Sequence, residues 1–427
     1  MKYLSIFLRI RFFRRLLLIA VLLLSAGLAV QAQTLTVLHN FTGGSDGSGP
    51  EGLVAVDRAG NVYGSAPFGG NRGGICSAIG GCGAVFRASF KNGAWLFNPL
   101  YTFQGEDGGG PLAGVTLGSD GAVYGTTLFG GGTQCGSNGC GVVFKLTPPP
   151  RFCQMALCPW TETVLYRPDG TNPSGFVGGV TVDAAGNVYG MTFGGGSGNA
   201  GVVYKLTPTG GNNYSFNVLY NFTGASDGGD PLGDVTPDSA GNLYGTTTYG
   251  GADGYGTVFK LVRSGAGYTF QLLYTFTEQE DGGMPEANLV LDSAGNVYGA
   301  TGYGGGIFQL KPSGDSWVYT VIDTQASFMQ APISIDSAGN LYGTTYAGGS
   351  HGDGSLFEVT YSNGQWTHNV LYSFYGLGGA LPLSDVGFDA SGNLYGTSTY
   401  GGGGNGDGAL WQFSRSAFPG NGLRGSH

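Results

Sequence analysis

Residues 238–247 read Asp-Ser-Ala-Gly-Asn-Leu-Tyr-Gly-Thr-Thr, and close copies of this line recur along the chain. Asp, Gly and Asn together make a tight turn. Gly adopts positive φ freely, and an Asp carboxylate can accept the turn's N–H groups. The run that follows, Leu-Tyr-Gly-Thr-Thr, is short and rich in residues that favour strands. The stretch therefore reads as a hairpin turn and the strand leaving it. Its tyrosine recurs as Tyr63, Tyr124, Tyr189, Tyr244, Tyr298, Tyr342 and Tyr395, at spacings of 61, 65, 55, 54, 44 and 53 residues. Seven units of this size point to a repeat architecture.

Each unit holds three further short apolar runs. The first follows the Pro of an Asp-Gly-x-x-Pro loop, as at Leu53–Val56 and Leu289–Leu291. The third is Gly-x-Val-Phe-Lys-Leu, as at 141–146, 201–206 and 256–261, and the fourth ends in Leu-Tyr-x-Phe, as at 100–103, 219–222, 273–276 and 371–374. Four antiparallel strands repeated seven times predict an all-β, seven-bladed β-propeller. The ends agree. The last unit stops after its third strand, Ala409–Phe413, and the chain opens with a lone fourth strand, Leu35–Phe41. Pairing them completes the seventh blade and leaves no open edge. A β-solenoid, the other repeat reading, would not need such complementary ends. One aromatic per third strand (Phe86, Phe144, Tyr204, Phe259, Phe308, Phe357, Trp411) is expected to pack between neighbouring blades.

Composition excludes several classes. Glycine supplies 86 of 427 residues, aromatics 13% and charged residues only 11%. So many aromatics and so little charge are unlike a disordered chain. Glycine without a three-residue period is not collagen, and glycine at this level opposes long helices. Residues 1–32 carry five basic residues and no acid, then an apolar stretch from Leu16 to Val30 and a Val-Gln-Ala site. They read as a signal peptide, with the propeller at 33–415 and a flexible tail at 416–427. An uncleaved anchor is the alternative, and Arg14-Arg15 matches twin-arginine export. Losing those five bases takes the formal net charge from −9 to −14. That charge repels phosphate backbones, so no nucleic-acid partner is expected. The mature chain is expected to be monomeric, without a membrane span, and extracellular, at the cell surface or periplasmic.

The six cysteines form three close pairs: Cys76 with Cys82, Cys135 with Cys140, and Cys153 with Cys158. In an exported chain these predict three local disulfides restraining surface loops. None has a metal-site spacing, and none of His39, His351, His368 or His427 lies beside one. No serine–histidine–acid, HExxH or P-loop pattern occurs. The repeated turn acids (Asp57, Asp183, Asp238, Asp292, Asp336, Asp389) read as hairpin chemistry, and blade two has Gly118 in their place.

Two loop sets are expected to share one face of the ring. One carries the loop acids Asp46, Asp107, Asp169, Asp227 and Asp281. The other carries an aromatic before a Gly-rich stretch: Phe68, Phe129, Phe193, Tyr249, Tyr303, Tyr346 and Tyr400. Flat rings beside carboxylates suit a polysaccharide. The same groups also suit a pure turn-and-cap role, and clustered carboxylates could hold Ca²⁺. No other cofactor is implied. A column on the first strand breaks the repeat, reading Leu53, Gly114, Gly179, Asp234, Asn288, Pro332 and Asp385. Asp234, Asn288 and Asp385 are the candidates for a specific polar or metal site at the channel mouth. The expected function is a non-catalytic binding module for a polysaccharide or surface ligand. A carbohydrate-active or lactonase-like enzyme using Asp234 and Asp385, or a scaffold for surface proteins, are the alternatives.

The repeated wording F-x-G-x-x-D-G-x-x-P…D-x-A-G-N-L/V-Y-G-T-T-x-x-G-G…G-x-V-F-K-L resembles the GloVer (Gloeobacter/Verrucomicrobia) tandem-repeat family over nearly all of the chain beyond the leader. The resemblance implies a bacterial, exported protein, often with an interchangeable C-terminal anchor, and implies no activity. The tail 418–427 lacks the hydrophobic character of such an anchor.

Overall fold

The structure is a computed structural model and describes residues 34–132, 136, 138–150, 159–170, 175–265, 267–277, 280–326 and 331–415. One compact unit spans Leu35–Phe413; a second, Met1–Thr34 with Ser414–His427, lies almost wholly outside the described residues. The first unit contains seven four-stranded antiparallel sheets, six of them with spatial order equal to chain order. In the seventh, Thr34–Asn40 pairs with Ala409–Ser414, so the predicted closure from both ends is present. Blades one to six span 55–102, 115–166, 180–221, 236–275, 290–323 and 334–373, and the seventh spans 387–414. First strands are shorter than expected, Ala55–Val56 for example. Third and fourth strands can be longer, as in Thr257–Ser264 and Gly267–Thr275.

The repeated turn works as its residues suggest. Asp238 Oδ1 accepts the Ala240 and Asn242 N–H groups at 2.9 Å each, and Oδ2 accepts the Asn242 amide at 2.7 Å and the Tyr244 hydroxyl at 3.4 Å. Gly241 sits at φ +79, where a side chain would be strained. Burial alone would raise the Asp238 carboxyl, but these bonds hold it below its ordinary value. In blade two, Asp120 stands two residues beyond Gly118 and takes over the role. It accepts the Ala122 N–H and the Tyr124 hydroxyl at 3.1 Å each and pairs with Lys145 at 2.7 Å. Asp238→Ala should cost about 1–2 kcal/mol in chemical denaturation, because it removes four hydrogen bonds, three of them partly buried. An unchanged midpoint would refute the assignment.

The Tyr-Gly pair has a packing cause. A Cβ on Gly245 would lie 2.7 Å from Phe259 Cζ, and one on Gly64 would lie 2.5 Å from Phe86 Cζ. The glycine thus lets the third-strand ring pass beneath the second strand. All seven third-strand aromatics are fully buried. Each core cluster spans adjacent blades, so Phe144 packs against Tyr63 and Val85 of blade one. Burial of one such ring contributes ~1.5–3 kcal/mol.

Threonines of the second strands join the blades laterally. Thr126 donates to Gly178 O, Thr246 to Ala287 O, Thr344 to Ser384 O and Thr397 to Pro50 O. Blade five has Ala300 at the position of these threonines. At the seam between blades five and six, His368 Nδ1 and Asp323 Oδ2 form a buried pair at 2.7 Å. Burial would raise Asp323, but the bonds from His368 and the Gln325 N–H hold it below its ordinary value. In blades one to six the pairing of third and fourth strands shifts register beside the third-strand aromatic, as between Val258 and Phe259.

Candidate functional site

The two loop sets do meet on one face. Ser48 pairs with Phe68, Gly109 with Phe129, Gly229 with Tyr249, Gly283 with Tyr303 and Ala380 with Tyr400, in short antiparallel bridges. The loop acids are occupied by the fold. Tyr101, Tyr220 and Tyr274 at the ends of fourth strands donate to Asp107, Asp227 and Asp281 at 2.5, 3.0 and 2.8 Å. In the closing strand His39 stands where these tyrosines do, 2.9 Å from Asp46. Thr42, Thr223 and Thr277 add backbone and hydroxyl bonds to the carboxylates of Asp46, Asp227 and Asp281. The oxygens of Asp46, Asp107, Asp227 and Asp281 are thus engaged by donors of the fold itself.

The rings, by contrast, project. Phe68, Phe193, Tyr249, Tyr303, Tyr346 and Tyr400 are 38–55% exposed, and Phe129 is half-buried. Each follows the second strand of its blade, so the rings recur once per blade. Glycines make room for them: a Cβ on Gly110 would lie 2.8 Å from the Phe129 ring, and one on Gly49 would lie 3.2 Å from Phe68.

A cavity of about 250 Å³ is lined by residues leading into the first strands of all seven blades. Its rim is the residue after each loop proline or its equivalent: Glu51, Leu112, Val177, Leu232, Glu286 and Leu383. Beneath lie the small residues Gly52, Ala113, Gly178, Gly233 and Ala287, and then the column containing Leu53, Asp234, Asn288 and Pro332. Small residues are required there. A Cβ on Gly52 would meet the Gly114 nitrogen at 2.0 Å.

The three polar residues of the column join blades to one another. Asp234 Oδ1 accepts the Gly179 N–H of blade three, and Asn288 Oδ1 accepts the Asp234 N–H at 2.5 Å. Asp385, half-buried, accepts the Val54 N–H of blade one at 3.0 Å. Burial pushes Asp234 up to about 6, against the Gly179 N–H and the Asn288 amide. It pushes Asp385 up to about 7, with the Val54 N–H opposing and the charge of Asp234 adding. Burial also raises Glu51 and Glu286. Sequence reading missed these two glutamates. Their only signal is a carboxylate after the loop proline, where the other rim residues are apolar.

Among the described residues no group of three or more His, Cys, Asp or Glu is placed to hold a metal ion. Of the three expected disulfides, Cys76–Cys82 is present; its sulfurs are fully buried, and it closes a loop in which Ser77, Ala78 and Gly80 are exposed. It packs against the loop of blade two, where a Cβ on Gly109 would lie 2.9 Å from Cys82 Sγ. Cys140 is also disulfide-bonded. Its expected partner, Cys135, lies outside the described residues. Both members of the third expected pair, Cys153 and Cys158, lie outside them as well.

Solved structures share the fold at low identity. Virginiamycin B lyase from Staphylococcus aureus superposes with a TM-score of 0.55 at 15% identity, covering 90% of this chain and 99% of the lyase. The extracellular domain of a candidate one-component system from B. thetaiotaomicron gives 0.51 at 13% identity, covering 90% of this chain and 42% of that one. These likenesses establish the propeller and no activity. No curated protein matches the sequence. The sequence model of the Gloeobacter/Verrucomicrobia repeat matches residues 133–322. The chain is accordingly a seven-bladed β-propeller that carries the Gloeobacter/Verrucomicrobia repeat.

Proposed function

We propose that the protein is an exported binding module whose aromatic face holds a polymer, a polysaccharide being the ligand best matched to it. The observation that carries this reading is the set of rings placed once per blade on one face, six of the seven exposed. Sugar rings stack on aromatic faces, and repeated platforms suit a repeated ligand. The signal-peptide reading of residues 1–32 supports export to the periplasm, cell surface or medium. Among the described residues no helix is long and apolar enough to cross a membrane.

Retention on insoluble polysaccharides tests the proposal. Tyr249→Ala, Tyr346→Ala and Tyr400→Ala combined should reduce retention at least tenfold while circular dichroism stays unchanged. Undiminished retention would sink the aromatic platform. One observation favours an enzymatic second reading: Asp234 and Asp385 interact and stand near 6 and 7, a range useful for proton transfer. That reading requires fragments released from the polysaccharide by the native chain, and their loss in Asp385→Asn.

A further inference from the structure

The first–second turns and third–fourth hairpins occupy the strand ends opposite the exposed rings. Two grooves open there, one of about 380 Å³ between blades seven and one and one of about 520 Å³ between blades five and six. Small-molecule sites are of this order, ~300–1,000 Å³. One side of each groove is the repeat tyrosine, its turn Asp and Asn, and the third-strand residue paired with that tyrosine. These are Tyr395, Asp389, Asn393 and Gln412 in the first groove, and Tyr298, Asp292, Asn296 and Gln309 in the second. The other side is a pair of rings from the following blade, Phe90 with Trp95 and Tyr361 with Trp366.

Two separate departures from the repeat meet at these seams. Blades one to four place a cation opposite the repeat tyrosine, and Lys145, Lys205 and Lys260 lie over its ring at 5.3, 5.5 and 4.9 Å. Blade six has Glu358, and only blades five and seven have Gln. The position of Phe90 and Tyr361 is Pro148, Pro208, Arg263, Pro312 or Arg415 in the other blades. The two glutamines therefore share their grooves with the only two aromatics of that column. A third groove, between blades three and four, has neither feature: Lys205 lies over Tyr189, and Arg263 takes the aromatic's place.

Phe90 and Tyr361 are 59% and 57% exposed, and Trp95 and Trp366 support them with ring centroids 5.6 and 4.9 Å away. Gln412 and Gln309 each give one amide N–H to the tyrosine hydroxyl at 2.8 Å. Their amide oxygens, and those of Asn393 and Asn296, accept no hydrogen bond among the described residues. Each groove also holds one carboxylate and one cation, Asp389 with Arg58 and Asp292 with Lys311, so its charge balances. Open rings beside unused amide oxygens suit an uncharged ligand with an apolar ring face and many hydroxyl donors. A proline-rich segment also fits aromatic grooves, but prolines bring no N–H to those oxygens. We infer that each groove takes one pyranose ring of an uncharged oligosaccharide with equatorial hydroxyls. Its C–H face lies on Phe90 or Tyr361, and its hydroxyls meet Gln412 and Asn393, or Gln309 and Asn296. These two sites are separate from the aromatic platform proposed above and do not depend on it.

Equilibrium dialysis of the full chain against labelled cellotetraose and N-acetylated chitotetraose tests this. At saturation with either sugar, Phe90→Ala and Tyr361→Ala should each remove one bound equivalent per chain. Both rings are exposed, so circular dichroism should stay unchanged. Gln309→Lys with Gln412→Lys installs the residue of blades two to four and should weaken these two sites at least tenfold. The same losses should appear in the Tyr249, Tyr346 and Tyr400 alanine variant, so failure of the grooves and failure of the platform read separately. Sorbitol, which has hydroxyls but no ring, and a decaproline peptide should not compete. Binding of neither sugar, a count unchanged by both alanines, unaltered affinity in the lysine variant, or displacement by sorbitol or decaproline would overturn the assignment.

Discussion

Trp411→Ala should lower stability by about 3–5 kcal/mol in guanidinium denaturation, because a fully buried large aromatic leaves a cavity its neighbours cannot close. Trp411 stands on the third strand of blade seven, among Tyr342, Leu356, Phe374, Leu394 and Phe413, so the loss falls on the seam with blade six. Trp411→Phe is the informative partner. Five other blades use Phe at this position, and the indole nitrogen of Trp411 is buried without a hydrogen-bond acceptor. Removing that orphan donor offsets part of the lost volume, so the Phe variant should cost less than about 1.5 kcal/mol. Equal losses in the two variants would mean that the ring does not act through volume.

The second large effect is on pH. Asp385 is raised to about 7 in the fold, chiefly by burial, and Asp234 to about 6. An unfolded aspartate titrates near ~3.9. A raised carboxyl favours the protonated native state. Its stabilising effect is therefore full below the unfolded value and is lost as pH rises through the folded one. The native chain should thus lose stability between pH 4 and 7 from these two groups. The carboxyls held below their ordinary value, such as Asp183, Asp238 and Asp323, act in the opposite sense and only at lower pH. Asp385→Asn keeps an oxygen for the Val54 N–H and removes the half-buried charge. It should raise stability at pH 8 by roughly 1–3 kcal/mol and flatten the decline, read as denaturation midpoints at pH 5 and 8. A pH slope equal to that of the native chain would refute this role for Asp385.

The architecture was legible because its causes are local. Asp238, Gly241 and Asn242 form their turn within five residues, and Gly245 and Phe259 explain each other within one blade. The same logic read the closing strand from Leu35–Phe41. Long-range roles were less visible. That His39 substitutes for a tyrosine becomes clear only when its bond to Asp46 is set beside Tyr220 with Asp227. Glu51 and Glu286 lie on blades one and five, and only ring closure brings them to one cavity. The first-strand column was noticed because it broke the repeat. That its polar members accept N–H groups from neighbouring blades could not be read from spacing.

The register shifts in the outer half of blades one to six bear on how copies of this chain behave when crowded. A straight outer strand offers a ladder of free amides that a neighbour could extend into a ribbon. A bulge twists that strand and spoils its match with any second ladder. The irregularity that interrupts pairing within those six blades therefore works against edge-to-edge pairing of one copy with another.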